Sequence, residues 1–197
     1  MIKRIIIYLN IIRFFPHICL FVLSKNHLII REDIDAYMKE YKVKGGNIYG
    51  LLHFLFYNKS FRVLFYYRIG DAKFLISFLA PGLSNFSISK GTQLDTGILF
   101  YHSYSTIINA HYVGKNCKIL HNVTLGFKNE KAPTILNNVE IYPNAVIVGG
   151  IMIGNNTVIG PGAVVFKDIP DNCVVVGNPS YILKQDGIVV NKKIAGK

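Results

Sequence analysis

The sequence predicts a mainly β fold, a parallel β-helix of six-residue repeats, preceded by an α-helical segment. Apolar residues recur at every sixth position in the second half of the chain: Ile135, Ile141, Ile147, Ile153, Ile159 and Val165. Small or apolar residues follow four positions after each of them, and turn-forming residues fill the gaps. A period of six fits neither an α-helix nor a long alternating strand. We therefore expect three short strands per coil, with the periodic side chains inside a triangular prism.

The same period extends upstream to Ile88, but its frame shifts twice. The first shift lies around residues 106–108 and the second between Gly126 and Thr134. Because inward positions cannot tolerate a slip of register, the extra residues must loop out of the coil. The second shift therefore predicts a protruding loop over residues 127–132, closed by Pro133. A β-sandwich is disfavoured, because sandwich strands recur about every 8–12 residues.

Composition divides the chain of 197 residues into three segments. Residues 1–83 are predicted to be helical, residues 84–183 to form the β-helix, and residues 184–197 to form a basic tail that frays. Within residues 1–25, the stretch Ile5–Leu23 is almost wholly apolar, and four polar residues fall at intervals of seven: Lys3, Asn10, His17 and Ser24. On a helix they form one narrow polar stripe, with Pro16 bending or breaking the helix. This pattern fits either a helix in a membrane interface or one packed against another subunit, and both readings stay open.

Charge and cysteine usage limit the classes of partner. The chain has 22 Lys+Arg against 11 Asp+Glu, a net charge of +11, which favours an anionic partner. No nucleic-acid motif accompanies the scattered basic residues, so we expect cofactor phosphates or anionic lipid headgroups and no nucleic acid. Three cysteines without paired spacing predict neither a disulfide framework nor a metal site. They favour the cytoplasm, at the inner membrane face if the first helix meets lipid.

Two histidines occupy the same place in their repeats. His102 is third in the row that Phe100 opens, and His121 is third in the row that Ile119 opens. One coil separates the rows, so the two imidazoles should stack at one corner of the prism, near the predicted loop. Such a pair suits general-base chemistry, whereas two histidines without a third ligand make a poor zinc site. The alternative that both are merely exposed corner residues stays open.

Several segments together resemble the serine O-acetyltransferase branch of the hexapeptide acyltransferases. They are residues 97–102, 119–126, 133–135, 159–170 and 176–179. The resemblance covers residues 88–183 and implies a left-handed β-helix that forms homotrimers, with acetyl-CoA in the groove between neighbouring prisms. It makes His102 the match of the catalytic base. By the same resemblance Pro143 and Pro161 line the cofactor, Lys167 lies near its phosphates, and Asn178 belongs to a closing turn beside it.

Three departures from this family bear on the acceptor. Tyr101 and Ser87 stand where the serine enzymes carry acids, and Ala132 stands where they carry a second functional histidine. A site for an amino-acid zwitterion needs charged partners, so serine is disfavoured as the acceptor. The profile resembles that of polysaccharide O-acetyltransferases, and this resemblance implies a carbohydrate acceptor, acetylated on a sugar hydroxyl in surface polysaccharide biosynthesis. Candidates to orient His102 are Asp95, Glu130 and His121.

Two alternatives to sugar acetylation stay open. One is serine O-acetylation in cysteine synthesis, which the missing acids disfavour. The other is a solenoid assembly module whose catalytic site has decayed.

Overall fold

The computed structural model describes residues 2–194, without the side chains of Ile2, Lys3, Arg4 and Tyr8. Residues 195–197 of the predicted basic tail and the side chain of Lys3 in the polar stripe therefore lie outside the described part. The chain divides into two compact units, one ending at Ser84 and the other beginning at Asn85.

The first unit is helical. Its elements are α1 (Ile2–Leu9), α2 (Ile11–Leu23), α3 (His27–Glu40), α4 (Asn47–Tyr57), α5 (Lys59–Ile69) and a 3-10 helix (Gly70–Leu75). Helix α2 packs against α3 and α4. None of the helices built from residues 2–194 has the length and apolar character needed to cross a bilayer.

The second unit consists of short strands. They are β1 (Phe86–Ile88), β2 (Gln93–Leu94), β3 (Leu99–Phe100), β4 (Thr106–Ile108), β5 (Tyr112–Val113), β6 (Lys118–Ile119), β7 (Thr124–Gly126), β8 (Thr134–Ile135), β9 (Glu140–Ile141), β10 (Val146–Val148), β11 (Met152–Ile153), β12 (Val158–Ile159), β13 (Val164–Val165), β14 (Cys173–Val176), β15 (Tyr181–Gln185) and β16 (Ile188–Lys193).

The strands form three parallel faces, which confirms the predicted β-helix. The first face has the order β1-β4-β7-β10-β13, the second β2-β5-β8-β11, and the third begins β3-β6-β9-β12-β14. Each of the first four coils therefore contributes one strand to each face, and the last coil joins the second face only through a single bridge at Ile169. All six residues of the periodic set from Ile135 to Val165 are fully buried, as the six-residue period predicts. Cys117 is also fully buried inside the prism, where it acts as a small apolar side chain.

The chain crosses three corners in every coil. We name them the histidine corner, which follows the third face, the flap corner, which follows the first face, and the asparagine corner, which follows the second. The asparagine corner carries a ladder of side-chain hydrogen bonds, in which the amide of one coil donates to the next: Asn116 to Asn138, Asn138 to Asn156, Asn156 to Asn172, and Asn172 to Asp186. These four asparagines have positive φ, a conformation that asparagine tolerates better than most residues.

The second frame shift does produce a protruding loop, residues 127–132, which we call the flap. Stacked asparagines are 18 residues apart at Asn138–Asn156 but 22 apart at Asn122–Asn144, where the coil includes the flap. Lys128 and Lys131 exchange backbone hydrogen bonds of 3.0 and 3.2 Å around Asn129 and Glu130, whose φ angles are 51° and 59°. Two central residues with positive φ define a type I′ hairpin turn.

The basic tail does not fray where the structure describes it. Residues from Tyr181 to Lys193 form the antiparallel strands β15 and β16, which extend the third face beyond β14. Ile182, just before the tail, is buried, and Asp186-Gly187 supplies the turn between the two strands. Backbone pairing to the open edge of the last coil therefore orders a segment that composition predicted to be loose.

Of the polar stripe, His17 of α2 faces inward beside the apolar Phe14 and Phe21, while Asn10 and Ser24 are half-buried. His17 is fully buried, and its Nε2 lies 2.9 Å from the hydroxyl of Tyr66, which donates to the carbonyl oxygen of Ala80 at 2.7 Å. His17 Nε2 therefore carries the proton, and Nδ1 has no hydrogen-bond partner among the described residues. The break between α1 and α2 lies at Asn10, while Pro16 is accommodated inside α2.

The inward register gives a first prediction. Replacing Ile153 with Lys should abolish the folded β-helix, because an unpaired ammonium group would enter a closed apolar prism at a cost comparable to the whole stability of a domain. Replacing the adjacent Met152 with Lys should change the unfolding free energy by less than about 1 kcal/mol, since this side chain is 49% exposed. Circular dichroism with urea titration measures both, and a cooperatively folded Ile153→Lys protein would contradict the register.

A second prediction concerns the stability of the protein at acid pH. Burial, followed by the charges of Arg13 and Arg62, lowers the pKa of His17 from 6.5 to about 4. Unfolding lets His17 take up a proton. The contribution of the buried, neutral His17 to the free energy of unfolding is therefore complete above pH 6.5 and is lost as the pH falls toward 4. The loss should reach about 2–3 kcal/mol. His17→Gln, which keeps a donor toward Tyr66, should show a smaller acid loss than the wild type. The exposed His27→Gln serves as the control, and equal acid loss in all three proteins would refute this role of His17.

Candidate active site

The histidine corner stacks the two predicted histidines with two of the predicted cofactor residues. Phe100, Ile119, Ile141, Ile159 and Val175 are register partners along the third face. The residues two positions after them therefore form one column along this corner: His102, His121, Pro143, Pro161 and Gly177. Both histidines are exposed, and they lie one coil apart, about 4.8 Å along the stack.

His102 shares a left-handed backbone with Gly177 (φ 88°) at the far end of the column and differs from His121, Pro143 and Pro161 between them. In those three intervening coils the left-handed residue comes one position later, at Asn122, Asn144 and Gly162. In its own coil His102 has a φ of 48°, and Ser105 is a second left-handed residue. Such a conformation costs a histidine about 1 kcal/mol or more, and strain of this kind concentrates at functional sites. The first frame shift therefore reshapes the turn that presents His102.

The flap belongs to the next corner of the same prism, and it does not cover the histidine pair. It packs on the following coil, where a Cβ atom on Gly150 would lie 2.7 Å from the Cβ of Lys131. A cavity of about 460 Å³ opens beside the flap, and its lining includes Asn109, His111, Glu130, Lys131, Ala132 and Thr134. The cavity therefore brings a carboxylate, an ammonium group and an imidazole together.

Lys167 also lies at the flap corner, one face away from Pro143 and Pro161. Its Nζ donates to the carbonyl oxygen of Ile194 at 3.2 Å. Phe166 has the ammonium groups of Lys128 and Lys167 over its ring, at 5.5 and 5.8 Å from the centroid. A second cavity, also of about 460 Å³, is lined by Lys167, Pro179, Ser180, Tyr181 and Lys193. Asn178, which precedes Pro179 in the closing turn, is exposed beside it.

Only one of the three candidates to orient His102 shares its corner. Asp95 lies at the asparagine corner, where its carboxylate accepts from the Tyr112 hydroxyl at 2.9 Å and from the Thr96 amide at 2.8 Å. Burial and this carboxylate raise the pKa of the Tyr112 hydroxyl, so the tyrosine remains a donor. Glu130 lies on the flap. Within one chain, His121 is therefore the candidate nearest to His102.

The cysteines and acids offer little further chemistry. Burial raises the pKa of the Cys117 thiol to about 12, so this residue is no nucleophile near neutral pH. Across residues 2–194, no three residues of the types His, Cys, Asp and Glu are grouped so that they could hold a metal ion.

The comparison with known proteins agrees with the repeat pattern. The family model described as bacterial transferase hexapeptide (six repeats) matches residues 132–167. The serine acetyltransferase of Helicobacter pylori is 30% identical over 116 residues, which cover 56% of this chain and 68% of that protein. This chain belongs to the hexapeptide-repeat acyltransferase family. A serine acetyltransferase of Synechococcus elongatus is 36% identical over 122 residues, 59% of this chain, and the match spans half of that protein's length.

A solved structure extends the likeness to the three-dimensional fold. The crystal structure of Neisseria gonorrhoeae serine acetyltransferase in complex with serine aligns with a TM-score of 0.67 and 28% identity. The alignment covers 87% of this chain and 74% of that one.

These relatives correct the expected acceptor. The prediction of sugar O-acetylation in polysaccharide biosynthesis is wrong, because the matched proteins and structures are consistently named serine acetyltransferases. That prediction depended on missing charges at Tyr101, Ser87 and Ala132. The structure places charges of both signs, Glu130 and Lys131, in the cavity beside the flap. Position-by-position matching missed them, although the second frame shift had already located the segment that carries them.

His111 is the other residue that sequence reasoning passed over. It lies near the first frame shift and had no evident neighbour among the functional candidates. In the fold it follows β4 of the first face, so it lies one coil from the flap and lines the same cavity as Ala132. The register of the first face was the signal that could have placed it there.

Proposed function

We propose that this protein is a serine O-acetyltransferase that uses acetyl-CoA as its co-substrate. The observation that carries the proposal is the column at the histidine corner, where a strained, exposed His102 leads into His121, Pro143 and Pro161. The family of the chain and the names of its relatives support acetyl transfer, and the matched Neisseria structure is a serine acetyltransferase in complex with serine. We place the reaction in the cytoplasm, where the three free cysteines stay reduced.

His102 acts as the general base in this proposal. Its imidazole accepts the proton of the serine hydroxyl as the oxygen attacks the carbonyl carbon of the acetyl thioester. The C–S bond then breaks, and the departing CoA sulfur takes the proton back from the imidazolium. His121, one coil away, is placed to orient the acceptor or the neighbouring imidazole. Pro143 and Pro161 continue the column as an uncharged wall for the cofactor, and Asn178 adds the closing turn.

A complete site requires two copies of the chain. The base lies at the histidine corner, whereas Lys167, Glu130 and Lys131 lie at the flap corner of the same prism. The first face joins these corners, and its outward side chains are mostly uncharged, including Ile107, which is 48% exposed. A cyclic homotrimer would set the histidine corner of one copy against the flap corner of the next and create three equivalent sites. Lys167 would then face the cofactor phosphates in the groove between copies.

The flap cavity suits the two charged ends of serine. Glu130 offers a carboxylate to the ammonium group, and Lys131 offers an ammonium group to the carboxylate. Neither side chain is engaged in an ion pair or side-chain hydrogen bond among residues 2–194. Both are therefore available to an acceptor that binds opposite the base of a neighbouring copy.

The base assignment gives a prediction. His102→Ala should lower kcat for acetyl transfer to serine by about 10²–10⁴-fold and leave the KM for acetyl-CoA nearly unchanged. The stacked His121→Ala is the matched control, and we expect a smaller loss that falls partly on the KM for serine. Thiol release from acetyl-CoA measures both. A dead His121→Ala beside an active His102→Ala would reverse the assignment, and a wild type that neither binds CoA nor acetylates serine would favour a non-catalytic module.

The charged side chains proposed to bind serine give another prediction. Glu130→Gln and Lys131→Met should each raise the KM for serine by about 10- to 100-fold, because each removes a charge-assisted hydrogen bond. The KM for acetyl-CoA should stay within about twofold. Lys128→Met, in the same flap but outside the cavity lining, is the control. Unchanged serine kinetics in Glu130→Gln and Lys131→Met would remove the flap from the acceptor site.

Subunit mixing tests whether the site is shared. If His102 and Glu130 come from adjacent copies, co-refolding His102→Ala with Glu130→Gln restores wild-type sites in mixed trimers. Random mixing would restore about a quarter of the wild-type kcat/KM. Activity that stays at the level of the separate variants would place both residues of a site in one copy.

A further inference from the structure

Helices α1 and α2 expose a series of large apolar side chains. We call this series the apolar face, and it comprises Ile5, Ile6, Leu9, Ile11, Ile12, Phe15, Val22 and Leu23. Three of its members are exposed to the extent of 84% (Ile12), 80% (Leu23) and 74% (Leu9). Scattered exposed apolar residues are ordinary on protein surfaces, but a series along two consecutive helices marks an interaction site.

Helix geometry separates this face from the packed side of α2. Phe14, His17 and Phe21 are buried toward the helical unit. At about 100° per residue, the exposed members of α2 fall within about a third of its circumference, on the other side of the helix axis. Arg13 lies outside this sector, and its Nε donates to the carbonyl oxygen of Leu79. The exposed sector of α2 therefore contains no charged side chain.

The segment that contains α1 and α2 carries charge of one sign, although α3, which follows it, has four acidic residues. Residues 1–25 contain four basic residues and no aspartate or glutamate: Lys3, Arg4, Arg13 and Lys25. An apolar helix face with only basic residues in its segment has the composition of helices that lie in the headgroup region of anionic membranes. Each basic residue near such a surface contributes favourably by about 1 kcal/mol.

We propose that the apolar face of α1 and α2 docks onto the surface of an anionic lipid bilayer, with the helix axes in the membrane plane. The buried side of α2 stays packed on α3 and α4, and the exposed side enters the boundary between headgroups and acyl chains. A second copy of the same face fits less well, because pairing two such segments would bring basic residues together, and residues 1–25 contain no acid to compensate them. The proposal is independent of the acetyltransferase function.

Vesicle binding by the full chain tests it. The protein should co-float with vesicles of phosphatidylcholine and phosphatidylglycerol, bind less to phosphatidylcholine alone, and lose affinity as salt screens the basic residues. The double variant Ile12→Ser/Leu23→Ser should bind the anionic vesicles at least about tenfold more weakly, because both side chains would otherwise leave water. Its circular dichroism spectrum should match that of the wild type. Ile188→Ser, at an exposed isoleucine of β16, is the control and should bind as the wild type does.

Two results would overturn the proposal. One is a wild type that ignores anionic vesicles, and the other is a double variant that binds them unchanged. Light scattering distinguishes the lipid surface from a second copy of the chain as the partner of the apolar face. If the wild type ignores vesicles and the double variant has a smaller assembly mass, a second copy of the chain covers the apolar face.

Discussion

The closed apolar prism is the constraint on which the rest of the β-helix depends. Three walls leave room for one branched side chain per strand, so each coil must return the chain to the same inward register. Any additional residue has to leave at a corner. The turn of His102, the flap and the closing hairpin are the places where the repeat is interrupted or ends, and they also carry the polar groups suited to chemistry.

This constraint also separates the functional groups. Short strands set each corner a full face away from the next, so a rigid prism cannot bring its own histidine corner and flap corner together. Chemistry that needs a base and an acceptor-binding charge must therefore draw on two prisms. The proposed sharing of sites between copies follows from the geometry of a triangle with stiff sides.

The six-residue period predicted which residues point into the prism. It did not predict in which direction the flap and the polar side chains of the helices project. A repeat of six fixes which residues point inward, and Ile153 and Cys117 lie where it placed them. The repeat does not predict that the flap lies at the next corner along the chain after the corner of His121, since this depends on where the frame shift falls within the coil. Periodicity also located the polar stripe through His17 without indicating its direction, because only Tyr66, distant in sequence, provides the buried partner. The expected acceptor was wrong because it was inferred from charges missing at Tyr101, Ser87 and Ala132, and that inference did not consider Glu130 and Lys131 of the flap.

The asparagine ladder ends in a group of another kind. Each carboxamide both donates and accepts, so a stack of asparagines could continue through any number of coils. Asp186, the last member, only accepts, and it lies in the turn of a hairpin whose strands run antiparallel. Both features interrupt the pattern that a further coil, or the first coil of another molecule, would need for register. The solenoid thus carries its own terminator against end-to-end growth into fibres, a hazard of every open parallel stack.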